Sequence, residues 1–125
     1  MTRINCVPVE ELCRQHLIAE YRELPRVFGM AANAERWNRI KSLPEKYVLG
    51  EGHIKFFYNK LEYCAERHRQ LVKEMFRRNY KPVIIDPDIP WRKSIPSFLW
   101  GNWEPTENAI KINRERIKER MPSNV

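Results

Sequence analysis

Apolar residues recur at helical spacing along much of the chain, and no segment shows the strict alternation that is typical of a β-strand. A first helix is predicted over residues 8–23, where Pro8 suits a helix start and Pro25 ends it. Thr106 can cap a third helix, and a shorter helix is predicted at about residues 31–41. The longest pattern predicts one amphipathic helix of about six turns, with its apolar face formed by Ile54, Phe57, Leu61, Cys64, Ala65, His68, Leu71, Val72, Met75 and Phe76.

Proline and glycine mark the segments between these helices. A proline cluster predicts an irregular connection before the last helix, and Gly50 and Gly52 predict a tight turn into the long helix. No strand precedes these glycines, so this turn with His53 behind it is interpreted as a helix start and not as a nucleotide-binding loop. We therefore predict an all-α fold, a compact single domain over residues 1–125 with three main helices. The prolines of the connection are Pro82, Pro87, Pro90, Pro96 and Pro105.

Charge and cysteine content narrow the function classes. The chain has 23 Lys and Arg against 16 Asp and Glu, a net charge of +7, which favours a polyanionic partner such as nucleic acid. Three cysteines without a C-x-x-C spacing indicate neither a disulfide framework nor a zinc site. No apolar stretch approaches the roughly 18 residues of a membrane span, so we expect no membrane partner and a cytoplasmic location.

Three ionisable residues of the first helix, His16, Glu20 and Glu23, are spaced so that they share one helix face. One interpretation is a solvated polar face whose carboxylates pair with Arg22 and Arg26. A second is a metal site that uses the three side chains as ligands, although the tight His-x-x-x-His spacing is absent. A third interpretation is a catalytic site, which requires that another part of the chain bring a reactive group to this face.

The amino end of the chain can reach this face. The extended residues before the first helix span roughly 20 Å, and the helix returns roughly 22 Å in the opposite direction to Glu23. If Met1 is removed, the exposed α-amino group of Thr2 has an intrinsic pKa of about 8 and is partly neutral at physiological pH. It is then an amine nucleophile.

Several blocks of the sequence resemble the pyrimidine-dimer DNA glycosylases, the family that includes endonuclease V of T-even phages. The blocks are TRIN at residues 2–5, QHL at residues 15–17, AEYRELPRVFG at residues 19–29 and the stretch from Leu49 to Glu62. The resemblance implies a compact all-helical fold in which the extended amino-terminal segment is threaded between helices. It also implies that the free amine lies beside the glutamate.

The same resemblance implies a bifunctional enzyme that acts on double-stranded DNA containing damaged pyrimidines. The Thr2 α-amine would attack the anomeric sugar carbon, displace the damaged pyrimidine and leave an imine, after which β-elimination cuts the strand. Glu23 would stabilise positive charge on the sugar and help to move protons. This chemistry needs no cofactor, and we expect a monomer in the cytoplasm of a bacterial or phage-infected cell.

The resemblance also assigns DNA contacts to basic residues around this site. Guanidinium groups suit this role because they bind phosphate oxygens with two parallel hydrogen bonds. For the two arginines of the last helix, the alternative is exposed charge paired with Glu115 or Glu119. The expected DNA-binding residues are Arg3, His16, Arg22, Arg26, Arg116 and Arg120.

Two departures from the phage enzyme leave other functions open. Residues 30–34 are mostly apolar and carry no charge here, where the phage enzyme is rich in arginine and lysine, and nothing beyond Pro122 corresponds to its aromatic tail. Trp91, Trp100 and Trp103 either take over the role of that tail or pack the proline-rich connection onto the helices. The alternatives are the same amine chemistry on another lesion or modified base, and a catalytically silent DNA-binding module.

Overall fold

The computed structural model describes residues 3–121, and this range contains helices and turns but no β-strand. The all-α prediction is confirmed. No helix in the described range is long and apolar enough to cross a membrane. The helices are α1 (Arg14–Glu23), α2 (Arg26–Arg36), α3 (His53–Phe56), α4 (Leu61–Arg77) and α5 (Glu107–Glu119).

The first helix starts later than predicted. Residues 8–23 were expected to be continuous, but the chain forms a short 3-10 turn at Val9–Glu11 and is extended at Leu12 and Cys13 before α1 begins. Arg78, which directly follows α4, explains the interruption, because its Nη2 donates a 2.8 Å hydrogen bond to the Leu12 carbonyl. A partner from another helix thus satisfies a carbonyl that a continuous α-helix would have used.

The shorter helix lies at Arg26–Arg36 instead of residues 31–41. Pro25 ends α1, as predicted, but its φ of −55° also suits the start of a helix, so α2 begins directly after it. The helix ends before Asn38, whose φ of +56° lies in the left-handed region.

The six-turn helix predicted from Ile54 is interrupted at residues 57–60, which separate α3 from α4. The carbonyl of Gly101 accepts hydrogen bonds from the backbone N–H groups of Glu62 at 3.2 Å and Tyr63 at 3.3 Å. These donors lie in the first turn of α4, where no intrahelical acceptor exists. A side chain at position 101 would place its Cβ 2.6 Å from the Asn59 carbonyl oxygen, so this close approach requires glycine.

The threaded segment, residues 4–7, is extended and buried, and side chains from four helices satisfy its backbone. A buried backbone needs hydrogen-bond partners, which a neighbouring strand supplies in a sheet. Here they come from helix side chains instead, which confirms the predicted threading. The bonds run from Ile4 N to His53 (2.9 Å), from Asn5 N to Glu20 (3.3 Å), from Cys6 N and Val7 N to Asn113 (2.7 and 3.1 Å), from Tyr63 to Asn5 O (3.2 Å), and from Arg67 to Val7 O.

The last helix begins as predicted, since Thr106 Oγ1 accepts a 3.0 Å hydrogen bond from the Ala109 N–H. Ile110 and Ile117 of this helix are partly buried against the core. Ala109 and Asn113 are buried, whereas Met121 is 42% exposed. Asn113 is buried because it holds the threaded segment.

The connection between α4 and α5 is irregular, with 3-10 turns at Ile89–Trp91 and Ser97–Leu99. Its tryptophans pack onto the helices, as one of the two interpretations expected. Trp100 stacks on Phe28 of α2 with a centroid distance of 5.7 Å, and Trp103 packs edge-on against Phe56 of α3 with a centroid distance of 5.1 Å. These side chains hold the connection against the core.

Much of the positive charge of α4 is neutralised within the protein. Residues 53–81 contain eight basic and three acidic residues. Arg67 pairs with Glu20, Arg69 lies near Asp86 and Asp88, and both Arg77 and Arg78 bind the buried Glu74. The Arg77 and Arg78 hydrogen bonds hold the pKa of Glu74 at about 2 despite its burial. The basic surface available to a polyanion must therefore come largely from other elements.

Candidate active site

A cleft of about 440 Å³ lies where α1, α5 and the amino-terminal residues meet. The face predicted for the first helix forms one wall, and two arginines of α5 form another. Five of the eight predicted site residues therefore come together in one cavity. The lining residues are Arg3, Asn5, His16, Ala19, Glu20, Glu23, Arg116, Ile117 and Arg120.

The two glutamates of α1 have different environments. Glu20 is only 2% exposed, and Arg67 donates to its two carboxylate oxygens from Nε at 2.8 Å and from Nη2 at 3.1 Å. Asn5 Nδ2 donates a further hydrogen bond at 2.8 Å. Burial disfavours the charged Arg67, but Glu20 more than offsets this and the pKa of Arg67 is raised. Glu20 is therefore committed to holding the fold.

Glu23 is the last residue of α1 and lines the cleft as a half-buried carboxylate. The ion pairs within residues 3–121 do not join it to Arg22 or Arg26, so the surface-pairing interpretation does not describe this helix face. In the same range, no three His, Cys, Asp or Glu side chains are grouped so that they could hold a metal ion. Glu23 is thus the acid of this face that can meet a ligand in the cleft.

Positive charge is concentrated on the opposite side of the cleft. Burial and the nearby charges of Arg116 and Arg120 lower the pKa of Arg3. Nη1 of Arg3 and Nε of Arg116 are buried and have no hydrogen-bond partner among residues 3–121. Arg116 also lies 3.5 Å from Glu119, so the predicted alternative pairing is present as well. Clustered, incompletely bonded guanidinium groups favour an anionic ligand such as phosphate.

His16 links the two walls of the cleft. Its Nε2 lies 3.1 Å from the backbone carbonyl of Arg120, which can only accept, so Nε2 carries the hydrogen. The other ring nitrogen, Nδ1, is buried without a hydrogen-bond partner in the described part of the chain. A neutral His16 therefore presents an acceptor at Nδ1 while it holds the end of α5 beside α1.

Three predicted residues lie outside this lining. Arg22 is exposed on a separate shallow groove that shares Ala19 with the cleft, and Arg26 is exposed at the start of α2. Thr2, the predicted nucleophile, lies outside the described residues. Arg3, which follows it in the chain, lines the cleft together with Glu23.

Comparison with protein families agrees with this arrangement. The model of the family described as pyrimidine dimer DNA glycosylase matches residues 1–86 of the 125 residues. The chain belongs to the pyrimidine dimer DNA glycosylase family. It is accordingly a DNA glycosylase, an enzyme whose partner is DNA that contains pyrimidine dimers. The match covers the threaded segment and α1 to α4 but ends before α5. The evidence that α5 forms part of the site is therefore the geometry of the cleft.

The residues that hold this candidate site together are not among the predicted site residues. Arg67 bonds to Glu20 across 47 positions, and Asn113 bonds to Cys6 across 107 positions. The sequence does contain one signal for Arg67. This charged residue lies three residues after Cys64 and four before Leu71, at a position in the apolar stripe of α4. A charged residue in such a stripe indicates a buried partner, although the sequence does not say which one.

Proposed function

We propose that this glycosylase excises cyclobutane pyrimidine dimers through an imine between the Thr2 α-amine and the sugar, and then cuts the strand by β-elimination. The observation that supports this best is the shared cleft of Glu23 and Arg3, the residue next to Thr2. Its positive wall favours the phosphates of DNA, and its carboxylate favours positive charge on the sugar.

The proposed reaction begins at the anomeric carbon of the sugar and ends with the strand cut. The amine nitrogen bonds to the anomeric carbon, the bond to the pyrimidine nitrogen breaks, and the base leaves with the electron pair. The amine then loses a proton, and the ring oxygen takes one up as its bond to the anomeric carbon breaks, which opens the sugar and leaves an iminium ion. Removal of a C2′ proton then expels the 3′-phosphate and cuts the strand, and water hydrolyses the imine to free the amine. Glu23 accepts and returns protons and stabilises the cationic sugar, which a neutral amide in its place could not do.

The DNA is held by the positive residues around this cleft. Arg3, Arg116 and Arg120 bind phosphates from inside it, and His16 contributes its ring on the same side. Arg22 and Arg26 extend the contact outside the cleft over the exposed surface of α1 and α2. Damaged pairs are easier to open than intact ones, which helps the enzyme to select its substrate. The protein acts as a monomer in the cytoplasm and needs no cofactor for this chemistry.

Borohydride trapping on a duplex with one defined thymine dimer tests this proposal. Protein lacking Met1 should form a covalent adduct that mass spectrometry maps to Thr2, and a matched undamaged duplex should give none. Adduct formation on an abasic duplex alone would retain the lyase chemistry and move the substrate to another lesion. An adduct on a lysine side chain would contradict the assignment of Thr2.

The role of Glu23 is tested separately with Glu23→Gln. We expect this variant to lose excision, while its binding to dimer-containing DNA is retained because the arginines are unchanged. Glu104→Gln is a matched control, because Glu104 is exposed in the connection before α5 and lies outside the cleft. Normal turnover by Glu23→Gln would remove this residue from the mechanism.

A further inference from the structure

His53 lies beneath the amino end of the threaded segment, outside the cleft. The residue is 2% exposed, and its Nε2 accepts a 2.9 Å hydrogen bond from the backbone N–H of Ile4. The Ile4 carbonyl lies 3.5 Å from the hydroxyl of Tyr47, which donates to it. Both backbone groups of Ile4 are therefore held by side chains from residues 47–53.

The hydrogen bonds of His53 define its protonation state. Nδ1 lies 2.8 Å from the Val48 carbonyl, which can only accept, so Nδ1 carries a hydrogen. Nε2 accepts from an N–H group and must therefore be unprotonated. Only the neutral ring with its hydrogen on Nδ1 makes both bonds. A protonated ring would direct an N–H group at the N–H of Ile4.

The surroundings of His53 favour this neutral form. Burial has the largest effect and lowers its pKa, and the charge of Arg3 acts in the same direction, against smaller opposing effects of the Val48 hydrogen bond and of Glu20. The rings of Tyr47 and Phe57 pack edge-on against the imidazole with centroid distances of 5.3 and 5.6 Å. Among the described residues, the charged and titratable groups that act on or pack against His53 are Arg3 at the amino end, Tyr47 in the loop before α3 and Glu20 of α1.

Ile4 is the last fully anchored residue before the reactive end of the chain. Its side chain is fully buried, and two residues of chain reach at most roughly 7 Å. The bond to His53 thus limits where a residue-2 amine can lie relative to Glu23. A displacement of about 1 Å in a reacting group can lower a rate by about 100-fold.

We propose that neutral His53 is a positioning residue for the amine nucleophile, because it fixes the backbone at Ile4 from which residues 2 and 3 extend. The inference rests on the proposed role of Thr2. His53 touches neither the sugar nor the base in this proposal. It acts through the backbone, and its removal should slow imine formation much more than it weakens DNA binding, because Arg3 is only one of several residues proposed to bind the DNA.

Two variants separate this role from a general contribution to stability. His53→Leu fills a similar volume but cannot accept from Ile4, whereas His53→Gln retains an acceptor for that N–H. The assay is the single-turnover rate of the borohydride-trapped adduct on saturating dimer-containing duplex, divided by the folded fraction measured by circular dichroism. We expect His53→Leu to be slower by about tenfold or more on saturating duplex, with a much smaller change in the Kd for DNA, and His53→Gln to recover most of the rate.

A pH profile gives a readout that a purely structural residue would not affect. Protonation of the amine alone gives a limiting slope of about one in log rate against pH on the acid side. Protonation of Glu23 affects both proteins alike, whereas protonation of His53 should make the acid limb of the wild type steeper by about one than that of His53→Gln. If His53→Leu does not fold, this comparison still decides, because an equally steep slope in His53→Gln would overturn the proposal.

The outcomes distinguish the two proposals. Wild-type adduct at Thr2, with an equal rate per folded molecule in His53→Leu, would overturn the positioning role and leave the proposed function intact. Absence of a Thr2 adduct in the wild type would overturn the proposed function and the positioning role together. A slow His53→Leu with a recovered His53→Gln supports both.

Discussion

The buried ion pair between Arg67 and Glu20 is expected to contribute strongly to stability. Arg67 is 3% exposed and donates two hydrogen bonds to Glu20 and one to the Val7 carbonyl. Arg67→Met keeps a long side chain but leaves a buried carboxylate whose remaining donors come from Asn5. Because an unpaired charge stays desolvated, we expect the free energy of unfolding to fall by about 3–5 kcal/mol.

The chain contains a matched control for burial. Arg114 binds Glu11 through two similar hydrogen bonds of 2.9 and 2.7 Å, but these side chains are 55% and 41% exposed. Water screens such a pair, so Arg114→Met should leave stability close to that of the wild type. Urea unfolding followed by circular dichroism at 222 nm measures both variants, and an unchanged m value shows that the midpoints can be compared.

A double variant tests the explanation itself. If the loss in Arg67→Met comes from an uncompensated charge, Glu20→Gln in the same molecule should recover part of it. Equal midpoint shifts in Arg67→Met and Arg114→Met would refute the argument from burial. A double variant that is less stable than Arg67→Met would refute the argument from the unpaired carboxylate.

Two further predictions concern glycine and pH. Gly101→Ala should lower the free energy of unfolding by about 1–3 kcal/mol, because its Cβ would lie 2.6 Å from the Asn59 carbonyl oxygen. Gly29→Ala within α2 would place its Cβ at an ordinary 3.6 Å from Trp91 and should raise the free energy of unfolding by about 0.5–1 kcal/mol. Urea midpoints that move in the same direction for both variants would contradict this contrast. Burial lowers the pKa of His68, whose Nε2 donates to the Ile84 carbonyl at 2.8 Å. The unfolded chain therefore binds a proton more readily, and stability should fall as pH drops below about 6.5. Thermal unfolding from about pH 7.5 to about pH 5 measures this loss, and a loss of the same size in His68→Gln would assign it to other groups.

The parts of the fold that depend on local chemistry could be predicted from the sequence. Thr106 begins α5 because its hydroxyl satisfies an N–H three residues later, and Pro25 ends α1 because of its own ring. The break before α4 could not be predicted in this way. It depends on the Gly101 carbonyl, which belongs to a distant connection and meets the first turn of α4 only after folding.

The same division holds for the site. Helical spacing placed His16 and Glu23 on one face, and the resemblance of the sequence to its family selected Arg116 and Arg120, which line the same cleft. Neither approach identified Asn113. Its side-chain oxygen accepts hydrogen bonds from the backbone N–H groups of residues 6 and 7, which have no neighbouring strand to bond to. Amphipathic periodicity does not show that a buried backbone segment needs such an acceptor.

The two glutamates of α1 show why spacing alone does not assign chemistry. Both lie on the face that forms the cleft, and their local sequences offer no reason to prefer either one. The structural role of Glu20 follows from α4, because the buried guanidinium of Arg67 requires a buried acid and Glu20 supplies it. Glu23 lies one turn further on, at the end of the helix, where it is half-buried beside the cleft. Glu20 therefore fixes the helix that carries Glu23, the proposed catalytic carboxylate, and it also binds Asn5 of the threaded amino end.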